Sequence, residues 1–218
     1  MSTKGIITAI VTIMIGVILT TGVLIPVIQD VSSNNDTETG VKSVTTGSFV
    51  AWVITDDGKL FGTGDNTYGQ QGSGTAGEES YVTEFTQRLS DQNIAKVVNT
   101  GDCTWAITTD GKLFGCGRNN YGQQGSGTAG EESYVTEFTQ RLTDENIKEV
   151  VIGEGTTWAI TTDGKLFGCG YNASGEQGSG TSGYESNVTE FTQRLTGENV
   201  KEVVAISGVT WAITTDGK

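Results

Sequence analysis

Three runs in this chain have the glycine spacing of a phosphate cradle. Gly72-Ser-Gly-Thr-Ala-Gly77 and its counterparts at 125–130 and 178–183 read G-x-G-x-x-G. In a dinucleotide site such glycines leave a strand and open a helix, so that backbone amides meet a pyrophosphate. Here each run lies between β-patterned segments and recurs three times, which reads as a blade loop needing positive φ. Carboxylates follow the glycines at Glu78-Glu79 and Glu131-Glu132, with Tyr184-Glu185 in the third copy. Oxygen ligands of this kind suit Ca²⁺, yet no D-x-[DN]-x-[DN]-G loop is present, and a solvated acidic loop or a protein-binding rim accounts for them equally. The three cysteines, Cys103, Cys116 and Cys169, include no C-x-x-C pair and read as small buried thiols rather than zinc ligands. The chain has no histidine, which removes Ser-His-Asp and Cys-His catalysis and His-ligated zinc together. No catalytic residue, cofactor or metal site is therefore assigned.

The elements that hold these residues follow from an internal repeat. The four tryptophans, Trp52, Trp105, Trp158 and Trp211, are each 53 residues apart. TWAITTDGKLFGCG occurs at 104–117 and again at 157–170, and YVTEFTQRL at 81–89 and 134–142. Lys148–Ile152, Thr157–Thr161, Lys165–Cys169 and Val188–Leu195 are short β-branched runs, four per unit. Four strands in about 50 residues make a propeller blade. The fold class is therefore all-β, with blades of four antiparallel strands. Asp57-Gly58, Asp110-Gly111, Asp163-Gly164 and Asp216-Gly217 read as two-residue type I′ hairpins, with positive φ at both central residues. Counted from that turn, Thr109 pairs with Lys112 and Trp105 sits opposite Cys116. Cys103 is then diagonal to Cys116 at about 7–8 Å, too far for an easy disulfide. The tryptophans are expected to pack between blades.

Asp110-Gly-Lys-Leu-Phe-Gly-Cys-Gly-Arg-Asn-Asn-Tyr-Gly-Gln-Gln-Gly125 resembles the signature of the regulator of chromosome condensation repeat family: a DG turn, an apolar strand and a G-x-N-x-x-G-Q-x-G loop. The resemblance covers 41–218 and holds in three successive copies; the third reads Asn172-Ala-Ser-Gly-Glu-Gln-Gly178, with Glu176 for the loop glutamine. It implies a propeller, in this family usually of seven blades. The residues from Val41 to Lys218 hold three and a half repeats and stop after Asp216-Gly217, where a partner strand LFG is due. That pattern leads to the expectation of a piece of a larger seven-bladed ring, or of an open sheet edge completed by another copy.

Residues 1–30 have a different character. The run from Ile6 to Ile28 carries no charged residue. As a transmembrane-type α-helix it is long enough to span a hydrocarbon core roughly 30 Å thick. Lys4 before it and Asp30 after it place the N-terminus inside and the bulk of the chain outside the cell. Lys4-Gly5 ahead of an apolar helix also resembles the processing site of type IV pilins, with Pro26 near the pilin kink, although Ile10 stands where many pilins have glutamate. Residues 31–40 are a polar linker.

A formal net charge of -13, from 13 Lys+Arg against 26 Asp+Glu, repels phosphate backbones and excludes a general nucleic-acid partner. The expected function is a membrane-anchored, extracellular scaffold for protein interaction or surface structure; the alternative is a pilin-like filament subunit processed after Gly5. An intracellular exchange factor, the role of the family's founding member, would need loops and basic tails that this acidic chain lacks. Candidate partner-binding residues are the loop positions Asp65, Tyr68, Arg118, Tyr121, Tyr171 and Tyr184, where the copies differ and where a scaffold presents its contacts. If the bulk is exported, Asn35, Asn172 and Asn187 are candidate glycosylation acceptors.

Overall fold

The computed structural model describes residues 39–206 and 208–218. The anchor or pilin-like helix, the processing site at Lys4 and Gly5, and Asn35 lie outside the described residues. Among those that are described, no helix is long and apolar enough to cross a membrane.

Each repeat unit folds as an antiparallel meander. β1 (Val41–Gly47), β2 (Val50–Thr55), β3 (Leu60–Asp65) and β4 (Tyr81–Arg88) form the first four-stranded sheet, in chain order. The second holds β5 (Ile94–Asn99), β6 (Cys103–Thr108), β7 (Leu113–Gly117) and β8 (Val135–Arg141). The third holds β9 (Ile147–Ile152), β10 (Thr156–Thr161), β11 (Leu166–Gly170) and β12 (Val188–Arg194). β13 (Val200–Ile206) and β14 (Val209–Thr214) make a further hairpin. The first strands of successive sheets pack on one another, and the fourth strands are the most exposed, as in propeller blades.

The reason for these strands is visible in their burial. β6 and β10 are buried at every position, and β-branched and aromatic residues there fill both faces of a sheet sandwiched between neighbours. The core is divided into seams. Val50, Trp52, Ile54 and Leu60 of the first sheet meet Ile94, Val97 and Ala106 of the second. Trp105, Ile107 and Leu113 meet Ile147, Val150 and Ala159 in the next seam. Trp52 and Trp105 are fully buried. Each meets a phenylalanine of the next blade's outer strand edge-on, a favoured geometry for aromatic pairs. The Trp52 and Phe138 centroids are 5.7 Å apart. Those of Trp105 and Phe191 are 5.6 Å apart. Trp211, on the final hairpin, is 72% exposed.

The hairpin geometry corrects the expected turn. Thr108 N–H donates to Lys112 O at 3.0 Å and Gly111 N–H to Thr108 O at 3.1 Å. Gly111 has φ 85, whereas Asp110 is not at positive φ. This is a three-residue loop, a type I turn followed by a left-handed glycine, rather than a two-residue type I′ turn. The extra residue shifts the register by one. Thr104, not Trp105, lies opposite Cys116, and Trp105 lies opposite Gly115. Cys103 pairs with Gly117, so its side chain leaves the opposite face of the sheet from that of Cys116. All three cysteines are free and buried.

Candidate functional site

Each blade has two ends. One carries the Asp-Gly turns; the other carries the β1–β2 type turns and the long loops that follow β3, β7 and β11. These long loops are built by the motif quoted above. Asn66 is buried, with Nδ2 donating to Ser73 Oγ at 2.9 Å and Thr75 O at 3.0 Å, while Oδ1 accepts from Gln71 N–H at 2.9 Å. Gln71 Nε2 donates to Thr63 O at 2.8 Å, and Gln124 and Gln177 repeat this bond to Cys116 and Cys169. The glycines at 72, 74 and 77 all have positive φ, as expected for a loop. The loop then grips the next blade: Thr104 Oγ1 donates to Gln70 O at 2.8 Å, and Gly74 N–H to Thr136 O at 2.9 Å. The family-like motif is thus an interblade clamp: most of its polar groups are consumed by structure, while the Oε1 atoms of Gln71, Gln124 and Gln177 are buried with no hydrogen-bond partner among the described residues.

What the clamp presents outward is aromatic. All six tyrosines of the chain lie at this end, in or beside the long loops. Every position at which the copies gain or lose an aromatic ring is here as well: Phe49, Asp65/Arg118/Tyr171, Tyr68/Tyr121/Ser174, Glu78/Glu131/Tyr184 and Tyr81/Tyr134/Asn187. The segments 99–103 and 152–156 join them, because the loop after β7 starts beside the β5–β6 turn, Arg118 N–H donating to Asp102 O at 2.9 Å. Sequence-distant candidates therefore meet. Arg118 lies 5.2 Å from the Tyr68 ring centroid and 3.4 Å from the Asp102 carboxylate. Tyr68 meets Tyr134 at 5.4 Å, and Tyr121 meets Tyr171 at 4.8 Å. Tyr184, in a short 3-10 turn, is 82% exposed.

Two candidate assignments change. Asp65 is committed to its own loop: Oδ1 accepts from Thr67 N–H at 3.0 Å and Oδ2 from Gln70 Nε2 at 3.0 Å. Asn172 is fully buried, and its Nδ2 donates to Ser179 Oγ at 3.0 Å and Ser186 O at 3.1 Å, so a glycan has no room there in the folded chain. Asn187 is half-buried. Glu78, Glu79, Glu131 and Glu132 are exposed, and no group of three metal-ligating side chains occurs among the described residues.

One residue escaped the sequence reading. Phe49 sits in the β1–β2 turn at φ 62 and is 66% exposed. Its equivalents under the internal repeat include Gly155 and Gly208, at φ 70 and 75, and that comparison was the available signal.

Residues 41–70 and 104–123 match the model of the Regulator of chromosome condensation (RCC1) repeat. Those two stretches are similar to this repeat. Among curated relatives, the probable E3 ubiquitin-protein ligase HERC4 of Homo sapiens is 27% identical over 163 residues, 75% of this chain and 15% of that protein. The ultraviolet-B receptor UVR8 of Arabidopsis thaliana is 30% identical over 140 residues, 64% of this chain and 31% of that protein. Of solved structures, Prp20p of Saccharomyces cerevisiae superposes with a TM-score of 0.66 at 20% identity, covering 80% of this chain and 43% of that one. Human WBSCR16 gives 0.67 at 23% identity, covering 82% and 46%. The likeness to these structures shows the fold alone, that of a β-propeller. This chain spans less than a third of the length of either curated relative.

Proposed function

We propose that this chain is a protein-interaction module whose binding surface is the tyrosine-bearing end of its blades. The supporting observation is the confinement of all variable aromatic positions to that end of otherwise near-identical repeats. Tyrosine and arginine supply large contact areas at small entropic cost and are enriched where proteins bind one another. The sheets beneath are a rigid scaffold, and loops on such a scaffold carry specificity. Among proteins of similar fold, Prp20p is described by its binding to Gsp1p and histones, which agrees with a propeller used for docking. In this reading the apolar segment Ile6–Ile28 anchors the chain in a membrane with the propeller outside, and the described blades belong to a seven-bladed ring.

The test is a crosslinking experiment on intact cells. A photoreactive residue at position 68 or 121 is expected to trap a discrete protein, and one at position 165, on the Asp-Gly end, is not. Equal trapping from both ends would overturn the reading. Protease added to the same cells should remove residues 41–218 from the outside.

A filament subunit is the second reading, favoured by Lys4-Gly5 immediately before the apolar run. Mass spectrometry of the mature N-terminus separates the two: a chain beginning at Ile6 supports the filament, and an intact Met1 or Ser2 supports a simple anchor.

A further inference from the structure

The two seams between complete blades differ at equivalent positions, and the first displays the chemistry that the second lacks. In the first, the Arg118 guanidinium lies over the Tyr68 ring at 5.2 Å and beside Asp102 at 3.4 Å, with Tyr134 edge-on to Tyr68 at 5.4 Å. An aromatic face and a carboxylate hold a cation there. One repeat further on, Tyr68 becomes Tyr121 and Arg118 becomes Tyr171. The rings meet at 4.8 Å and 62°. Gly155, at φ 70, permits the approach, since a Cβ there would come within 2.8 Å of Tyr121 Cδ2. The aromatic surface has grown and the cation has gone.

Negative charge remains. Glu154 lies exposed in the β9–β10 turn. Glu176 stands where the other copies have the neutral Gln70 and Gln123, and it is 8% exposed. Its Oε2 accepts from Ser174 N–H at 2.9 Å. Among the described residues, neither glutamate joins an ion pair. Burial raises the pKa of the Tyr171 phenol, and Tyr184, Glu176, Tyr121 and Glu154 push it further the same way; of these the two glutamates carry the charge near neutral pH. A carboxylate removed from water without a counter-ion is costly, and a cation brought between it and the rings recovers that cost.

We propose that Tyr121 and Tyr171, with Glu154 in the adjoining turn and Glu176 in the loop after β11, form a site for the ammonium or guanidinium side chain of a basic segment in a partner protein. This rests on the interaction reading above and specifies the chemistry of the partner. The internal Arg118 of the first seam is the template for the external cation of the second.

The test uses the full chain in detergent micelles at about 0.15 M salt, which screens its general negative charge. The probe is a fluorescent peptide with one lysine between glycines and serines, compared by anisotropy with its acetyllysine counterpart. The lysine peptide is expected to bind at least tenfold more tightly. Tyr171→Arg, which restores the internal cation, should abolish that preference, and so should the charge-neutral Tyr121→Leu. Tyr81→Leu, an exposed ring on β4, should keep it, and near-ultraviolet circular dichroism checks that each variant is folded. Equal binding of the two peptides, or a preference that survives Tyr171→Arg, overturns the proposal. Binding of both peptides alike, lost in Tyr121→Leu, overturns the cation site while leaving the interaction reading intact. Absence of peptide binding overturns the cation site, and the crosslinking experiment then judges the broader reading alone.

Discussion

The indole of Trp52 lies directly against Gly62, its cross-strand partner: a Cβ on Gly62 would come within 2.5 Å of Trp52 Cζ3 and within 2.5 Å of Gln71 Oε1. Trp158 meets Gly168 in the same way. The glycine exists to let a large ring lie flat on the sheet, and a methyl group there overpacks a seam that has no slack. Gly62→Ala should therefore destabilise the chain by about 1–3 kcal/mol. Urea unfolding followed by tryptophan fluorescence would measure it; an unchanged midpoint would mean the seam can open.

Phe49 should be replaceable with a gain. A left-handed backbone costs a residue with a Cβ roughly 1–2 kcal/mol, while glycine loses more chain entropy on folding, so Phe49→Gly should stabilise by up to about 1 kcal/mol. Phe49 is 66% exposed, so little packing is lost. Thermal unfolding would register the change, and a fall in midpoint would show that the ring makes contacts that matter.

The thiols should be inert until the chain unfolds. Burial pushes the pKa of Cys103 and Cys116 well above the ordinary thiol value and that of Cys169 in the same direction. A disulfide-exchange reagent at pH 8 should react slowly with the native chain and titrate three thiols in denaturant. The sign for stability follows by linkage. Unfolded thiols release protons at lower pH than folded ones, so their contribution is complete below the unfolded thiol pKa and declines as pH rises above it.

The Asp-Gly turns titrate in the opposite sense. The hydroxyl of Thr161 and the ammonium of Lys165 hold the Asp163 carboxyl below its ordinary value, and Lys112 then Thr108 do so for Asp110. Stability from these turns is present above the unfolded carboxylate pKa and is lost as pH falls through the lowered folded values. Asp163→Asn should flatten the stability profile between pH 5 and pH 2, by about one carboxylate's share, in acid titrations of unfolding. A profile parallel to the parent chain would show that the turn does not couple to folding.

Much was legible from residues alone. The regular spacing of tryptophans, β-branched runs and Asp-Gly turns dictates four-stranded antiparallel units, because a sheet buried on both faces needs such runs and each tight return needs a left-handed residue. The burial of Trp52, Trp105 and Trp158 follows from the same pattern. The register did not. Whether a hairpin loop has two residues or three depends on the φ of Asp110, a backbone angle that residue type leaves open, and one residue moves every side chain to the other face. Nor could the strand order along one unit reveal that Tyr68 lies under Arg118 of the following repeat, or that Asn172 is walled in by its own loop. Those contacts exist only once neighbouring sheets pack at a fixed angle, so that the end of one blade's third strand lies beside the turn of the next.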